Sequence, residues 1–318
     1  MTTPNEPAAA PAAPGSAAAP VGLGVDSLAP TGRGEVRAAG TGRRSVRRTI
    51  AYALLLGYAF LMLIPFAWQV ITSFKTNRDA LRLTIIPDPF TLQGWEKGFL
   101  TLDPSIPQLF LNSVIIAGLV TLSNLVLASM AGYAFARLRF PLREALFIAV
   151  LGTLMIPDQL RFVPVYLIER QLGLITRNPV NYIGVVLILA VEAQQLFLMR
   201  QYFLSIPKDL EEAAKIDGAG YVTTYLRIML PLAGPALAAV SILAFQGAWN
   251  GFFWPLLILQ SQDHWTLPLG LFSFKDQFLT EWPALMSVTV AAILPILLMY
   301  IFFQKYFVAS VASTGVKG

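Results

Sequence analysis

The chain has 318 residues, 56% of them hydrophobic and 13% charged, with a mean hydropathy of +0.62 and a formal net charge of +5. That is far too apolar for an ordinary soluble domain, so the bilayer must be its main solvent. The modest basic excess is what membrane-flanking loops produce and gives no ground for a nucleic-acid partner, while the absence of cysteine excludes a disulfide framework, a thiolate metal site and a cysteine nucleophile.

Residues 1–45 are dominated by Ala, Pro and Gly, with AAAPAAPGSAAAP at 8–20. Almost no large apolar side chain is available to build a core there, and a disordered cytoplasmic tail is expected. Arg43, Arg44, Arg47 and Arg48 then precede an apolar run, like the charged start of a signal peptide. The run is full length, lacks a small-residue cleavage site and leads into further spans, so it is expected to be retained. The remainder, 46–318, is expected to form one transmembrane domain.

Uncharged runs cover residues 49–74, 104–136, 228–262 and 282–304. A helix needs about 20 residues to cross roughly 30 Å of hydrocarbon, and membrane strands would instead show shorter segments of alternating polarity. The expected fold is an all-α polytopic membrane protein. Six transmembrane helices are expected, near 50–72, 111–135, 144–166, 181–203, 232–256 and 284–304. The third carries Asp158 and Arg161 near its far end, and the fourth carries Glu192 near its middle. An isolated charge at mid-bilayer costs about 2.5 to 3.5 kcal/mol, which the apolar remainder of each span offsets.

Basic residues set the orientation. Arg43 to Arg48 precede span one, Arg137, Arg139 and Arg143 join spans two and three, and Lys208, Lys215 and Arg227 join spans four and five. These segments share one side, which places both termini in the cytoplasm. Small residues recur at helical spacing, as Ala128, Gly132 and Ala136 and as Gly247 with Gly251. Such faces allow close backbone approach, either within the chain or along a seam with a second transmembrane subunit.

Residues 205–231 hold seven charged side chains between Lys208 and Arg227, and inserting them would cost on the order of 15 to 20 kcal/mol. This is therefore an aqueous loop. Pro207 suits a first helical turn, Leu210, Ala213, Ala214 and Asp217 follow at helical spacing, and Gly218 and Gly220 end the turn. Tyr221 to Met229 can form a second short helix. Two short amphipathic helices broken by glycine make a surface on which a soluble partner can dock, and the same pattern is open to reading as a plain solvated loop.

Glu212-Ala213-Ala214, three residues, Gly218, nine residues, Ile228, one residue and Leu230-Pro231 resemble the complete EAA loop of ATP-binding-cassette importer permeases. The similarity runs from about residue 46 to the end. It narrows to the carbohydrate-uptake group, the six-span partner of the maltose-type pair, through Met155-Ile156-Pro157 with Gln159, Arg200-Gln201-Tyr202-Phe203, Trp249-Asn250, Trp254-Pro255-Leu256, Thr266-Leu267-Pro268 and the terminal Val316-Lys317-Gly318. One departure is Gly251, where members often carry an acidic residue.

The resemblance implies a cell-membrane permease joined to a second permease subunit, two cytoplasmic ATP-binding subunits and an extracytoplasmic solute-binding protein. ATP and magnesium would be used by the ATP-binding subunits, with no cofactor or metal in this chain. It implies that Glu211 to Gly218 form the coupling helix, and that coupling rests on Glu211, Glu212, Ala213, Ala214, Asp217, Gly218, Ile228, Leu230 and Pro231. Trp249, Asn250, Phe253, Trp254 and Glu192 are candidates for the translocation pathway, or else pack the spans.

Two other classes compete. A proton-coupled secondary transporter would use Glu192, Asp158 and Arg161 as a relay, but that leaves the loop motif unexplained. A membrane enzyme has no phosphate-binding loop and no His pair at metal spacing, and the single histidine, His264, sits beside Asp263 in a polar loop.

Overall fold

The computed structural model describes residues 41–100, 103–175, 180–274 and 281–314. The expected tail up to residue 40 and the terminal Val316-Lys317-Gly318 lie outside the described residues. Packing divides the chain into two units, Met1–Tyr58 and Ala59–Gly318. The first contributes the opening part of helix α1 (Thr41–Ser73), which thus begins within the segment expected as tail. Its side chains Tyr52, Leu54, Leu56 and Tyr58 are exposed. From Thr49 onward this part of the helix is uncharged and its apolar side chains are exposed, which suits lipid or a partner helix.

The second unit is built of helices joined by turns and loops, with no strand among its described residues. In chain order it adds α2 (Gln93–Leu100), α3 (Ile106–Arg137), α4 (Arg143–Thr153), α5 (Asp158–Gln171), α6 (Val180–Ile188), α7 (Ala193–Ser205), α8 (Asp209–Ile216), α9 (Tyr221–Thr224), a π turn at Tyr225–Met229 and α10 (Leu230–Leu232). It continues with α11 (Gly234–Trp249), α12 (Phe253–Ile258), a 3-10 turn at Gln262–His264, α13 (Leu267–Phe274) and α14 (Trp282–Thr314). Among the described residues three helices are long and apolar enough to cross a membrane, and up to six spans result if each bent pair is one span.

Those bends correct three of the expected spans. The segment expected as span three is two helices, α4 and α5, meeting at 103°, the segment expected as span four is α6 and α7 at 50°, and α11, in the expected span five, meets the preceding Tyr221–Leu232 segment at 78°. Span five moreover stops at Trp249, short of the expected residue 256, and α12 is a separate helix. Pro157 closes one of the breaks and Pro235 lies in the first turn after another, where its missing N–H costs no helical bond; proline cannot donate to the preceding turn and disfavours a helical residue before it. The break at 189–192 has no proline. There Asn124 of α3, fully buried, donates to Leu189 O at 2.7 Å and accepts from Glu192 N at 3.1 Å, occupying backbone groups that the broken helix leaves open.

Helix α3 is the axis of the bundle, packed against α7 and α11. At one end Ile106, Leu109, Ile116, Trp249 and Val288 form a core, and at the other Tyr133, Met199, Phe203, Tyr225 and Met229 form a second. Between them, Gly132 presses on α7: a Cβ there would lie 2.6 Å from Met199 Cβ. The Ala128–Gly132–Ala136 stripe is therefore a seam within the chain. Gly132→Val should destabilise the protein by about 1 to 3 kcal/mol, visible as a lower melting temperature in detergent, whereas an unchanged melting temperature would show the α3–α7 contact to be loose.

Candidate coupling surface

Helix α8 starts after Pro207 and carries Asp209, Glu211 and Glu212 in its first turn and Lys215 in its last, the charge order that a helix dipole favours. Its end has a defined geometry. Gly218 sits at φ +80°, Gly218 N donates to Lys215 O at 3.1 Å, and Ala219 N donates to Ala214 O at 2.9 Å. This pair of bonds around a left-handed residue is the Schellman motif, and it requires a residue without a Cβ penalty at position 218.

The helix has two distinct sides. Ala214 is buried, and Glu211 points inward to Arg137 at the end of α3, with Arg137 Nε 3.4 Å from Glu211 Oε1. Arg137 is 3% exposed, and its guanidinium also donates to the carbonyls of Phe203 and Ile206, two acceptors that the C-terminus of α7 leaves open. One side chain thus ties α3, α7 and α8 together. Burial pushes the Glu211 carboxyl above the ordinary carboxylate range, and the positive charges of Arg137 and Lys208 pull it back.

The other side is open. Glu212, Ala213, Ile216 and Asp217 are exposed, and Ile216 reaches 86% exposure. Beside it, Arg137, Arg139, Arg143, Lys208, Lys215, Glu211 and Glu212 contribute to the lining of a cleft of about 710 Å³. Charged side chains thus flank an uncovered isoleucine on the open side of the helix.

The later part of the motif is anchored inside. Expected as a simple second helix, 221–229 is instead one helical turn followed by the π turn at Tyr225–Met229, placed where Pro231 cannot donate to the preceding turn. Tyr225 packs on Tyr133 and Phe203, and its hydroxyl lies 2.7 Å from Ser129 Oγ. Leu230 packs against the same core and Ile228 is half-buried, while Pro231 is exposed. Glu212 to Gly218, Ala214 apart, thus lie on the open side, and Tyr225, Met229 and Leu230 fasten the later part of the motif to the bundle.

The candidate pathway residues do not form one group. Trp249 is 2% exposed, stacks on Phe245, meets Phe110 edge-on and donates to Ala292 O at 3.1 Å, so it packs the core. Asn250 caps the end of α11 and is exposed. Glu192, Phe253 and Trp254 line a common cavity, together with Asp158. His264 lies 3.1 Å from Asn181 Nδ2 and edge-on to Tyr182 rather than free in solvent. In the sequence Arg137 signals only orientation, and Asn124 carries no mark of its role. The available cue was that Arg137 is the first charge after the uncharged run 104–136.

A bent-helix membrane bundle bearing this loop is the architecture of an importer permease, and the chain belongs to the binding-protein-dependent transport system inner membrane component family, whose model matches residues 124–313. It is a multi-pass membrane permease of an ATP-binding-cassette importer. It is 36% identical to the arabinooligosaccharides transport system permease protein AraQ of Halalkalibacterium halodurans, over 85% of this chain and 97% of that relative. It is 31% identical to the diacetylchitobiose uptake system permease protein NgcG of Streptomyces coelicolor, over 83% and 87%. The crystal structure of a bacterial ABC transporter involved in the import of the acidic polysaccharide alginate superposes with a TM-score of 0.70 at 25% identity, covering 83% of this chain and 98% of that one. The secondary-transporter alternative finds no support among these relatives.

Proposed function

We propose that this chain is the inner-membrane permease subunit through which a sugar or oligosaccharide, delivered by an external solute-binding protein, crosses the membrane. It pairs with a second permease and rests on two cytoplasmic ATP-binding subunits, which use ATP and magnesium; the chain has no phosphate-binding loop and hydrolyses no ATP by itself. The bent pairs α4–α5 and α6–α7 each count as one span and α11 carries the fifth, giving six with both termini and the 205–231 loop in the cytoplasm. A carbohydrate cargo is supported by the sugars that AraQ and NgcG are named for.

The observation that carries the coupling role is the two-sidedness of α8. Glu211 faces Arg137, while Glu212 and Ile216, four residues apart, stand exposed together. A charge beside an apolar anchor on one helix face fits a groove in an ATP-binding subunit, with Glu212 as the ion-pair partner. Closure of the ATP-binding dimer must then favour one position of this helix over another to move the permease.

Because the chain has no cysteine, Ile216→Cys is a clean probe. An impermeant maleimide should label it in inside-out vesicles and not in intact cells, and assembly with the ATP-binding subunits should protect it. Labelling from outside intact cells would overturn the orientation, and equal labelling with and without the ATP-binding subunits would overturn the docking.

A further inference from the structure

Two of the bent helix pairs break beside the same space. The α4–α5 break spans residues 154–157, where the N–H groups of Leu154, Met155 and Ile156 turn back onto Leu151 O, Gly152 O and Thr153 O. The α6–α7 break spans residues 189–192 and is held open by Asn124. Irregular backbone within a membrane persists only where it is buried in protein or borders a water-filled cavity. Here Asn124 buries the 189–192 break on one side, and both breaks border two cavities, of about 350 and 220 Å³. The cavities share Asp158, Leu189, Glu192 and Trp254, so they adjoin.

Their lining is unlike the rest of this apolar bundle. Asp158 and Arg161 form an ion pair, and Arg161 Nε is buried without a hydrogen-bond partner. Glu192 adds a second carboxylate. Phe253 is 52% exposed, with Phe162 tilted on it at 5.5 Å and Trp254 edge-on to Phe162 at 5.0 Å behind. On the facing helix, a Cβ added at Gly247 would meet nothing within 4 Å, whereas at Gly132 or Gly270 it would collide with a side chain. Gly247 is therefore not a packing glycine. It leaves room open in the smaller cavity, which it lines.

We infer that Asp158, Arg161, Glu192, Phe253 and Gly247 form a binding subsite for a polyhydroxylated sugar on this chain's wall of the pathway. Each sugar hydroxyl both donates and accepts, so a guanidinium beside two carboxylates matches it, and the apolar face of a sugar ring can lie on Phe253. Gly247 sets the width. The inference rests on the sugar-import reading above, and it makes the charges of α5 and α7 contacts for cargo rather than a proton relay.

The test uses the full complex, with its second permease, ATP-binding subunits and solute-binding protein, in proteoliposomes supplied with arabinotriose or diacetylchitobiose. Gly247→Cys should narrow the subsite and lower uptake several-fold, and a cationic methanethiosulfonate reagent should then abolish what remains. Excess transported sugar should slow that modification. Stimulation of ATP hydrolysis by the solute-binding protein should persist, because the coupling surface is untouched. Glu192→Gln, of the same shape, should raise the apparent KM for uptake roughly tenfold, the effect of losing one charge-assisted hydrogen bond. A wild-type complex that takes up neither sugar would overturn the sugar reading and this subsite together. Wild-type uptake with Gly247→Cys unmodified, or modified without loss of uptake, would overturn the subsite alone, as would an unchanged KM in Glu192→Gln.

Discussion

Arg137→Ala should be among the most damaging single substitutions in this chain, lowering its melting temperature in detergent and reducing uptake even where protein reaches the membrane. The side chain is almost fully buried, donates to the carbonyls of Phe203 and Ile206 and faces Glu211. Removing it leaves two carbonyl acceptors and a half-buried carboxylate without their partner, and breaking a buried pair from one side costs about 3 to 5 kcal/mol. Arg137→Lys should not restore function, because a compact ammonium cannot reach three acceptors in the fork geometry of a guanidinium. Glu211→Gln should be much milder. Burial already disfavours the Glu211 charge, so the amide loses the ion pair and the burial penalty together. A wild-type melting temperature and uptake in Arg137→Ala would remove Arg137 from the link between α8 and the bundle.

Gly218→Asp should abolish coupling while leaving membrane insertion and solute binding by the external protein intact. At φ +80° the residue lies in the left-handed region, where a side chain costs about 1 kcal/mol or more. A Cβ at 218 meets no atom of this chain within 4 Å. The damage therefore comes from the backbone preference and from whatever docks on α8, and the added carboxylate also stands at the helix end that disfavours negative charge. Gly218→Val should be worse, since a β-branched residue is a true outlier at positive φ, and Gly218→Asn should be mildest. For Asp and Val, uptake and binding-protein-stimulated ATP hydrolysis should fall together. Normal uptake in a well-expressed Gly218→Asp strain would refute the coupling role, and loss of solute binding alone would assign the defect to another subunit.

The same two residues show where reading the sequence succeeds and where it stops. Gly218 was legible because a helix end leaves a local signature: a run at helical spacing, then a glycine where the chain must turn left-handed. The membrane class was legible for a comparable reason, since uncharged runs such as 282–304 have no other solvent that suits them. Arg137 was not, because its partners lie 66, 69 and 74 positions away in sequence, and nothing local marks them.

The sequence by itself determined which segments prefer lipid, which loop must stay in water, and that residues 212 to 231 carry the importer motif; each follows from composition or fixed spacing, which chain folding cannot alter. Only the tertiary structure decided that the segments expected as the third and fourth spans are each two helices, and that a bend precedes α11. A hydropathy window of helix length averages across a break of one to four residues, and the break at 189–192 is held by Asn124, far away in sequence, which supplies its hydrogen bonds. The structure likewise separated residues that composition treats alike. Trp249 packs against Phe245 while Trp254 lines a cavity, and Gly132 is pressed on Met199 while Gly247 faces open space. In each pair the side chains have the same chemistry, and what the neighbouring helix brings against them sets their role.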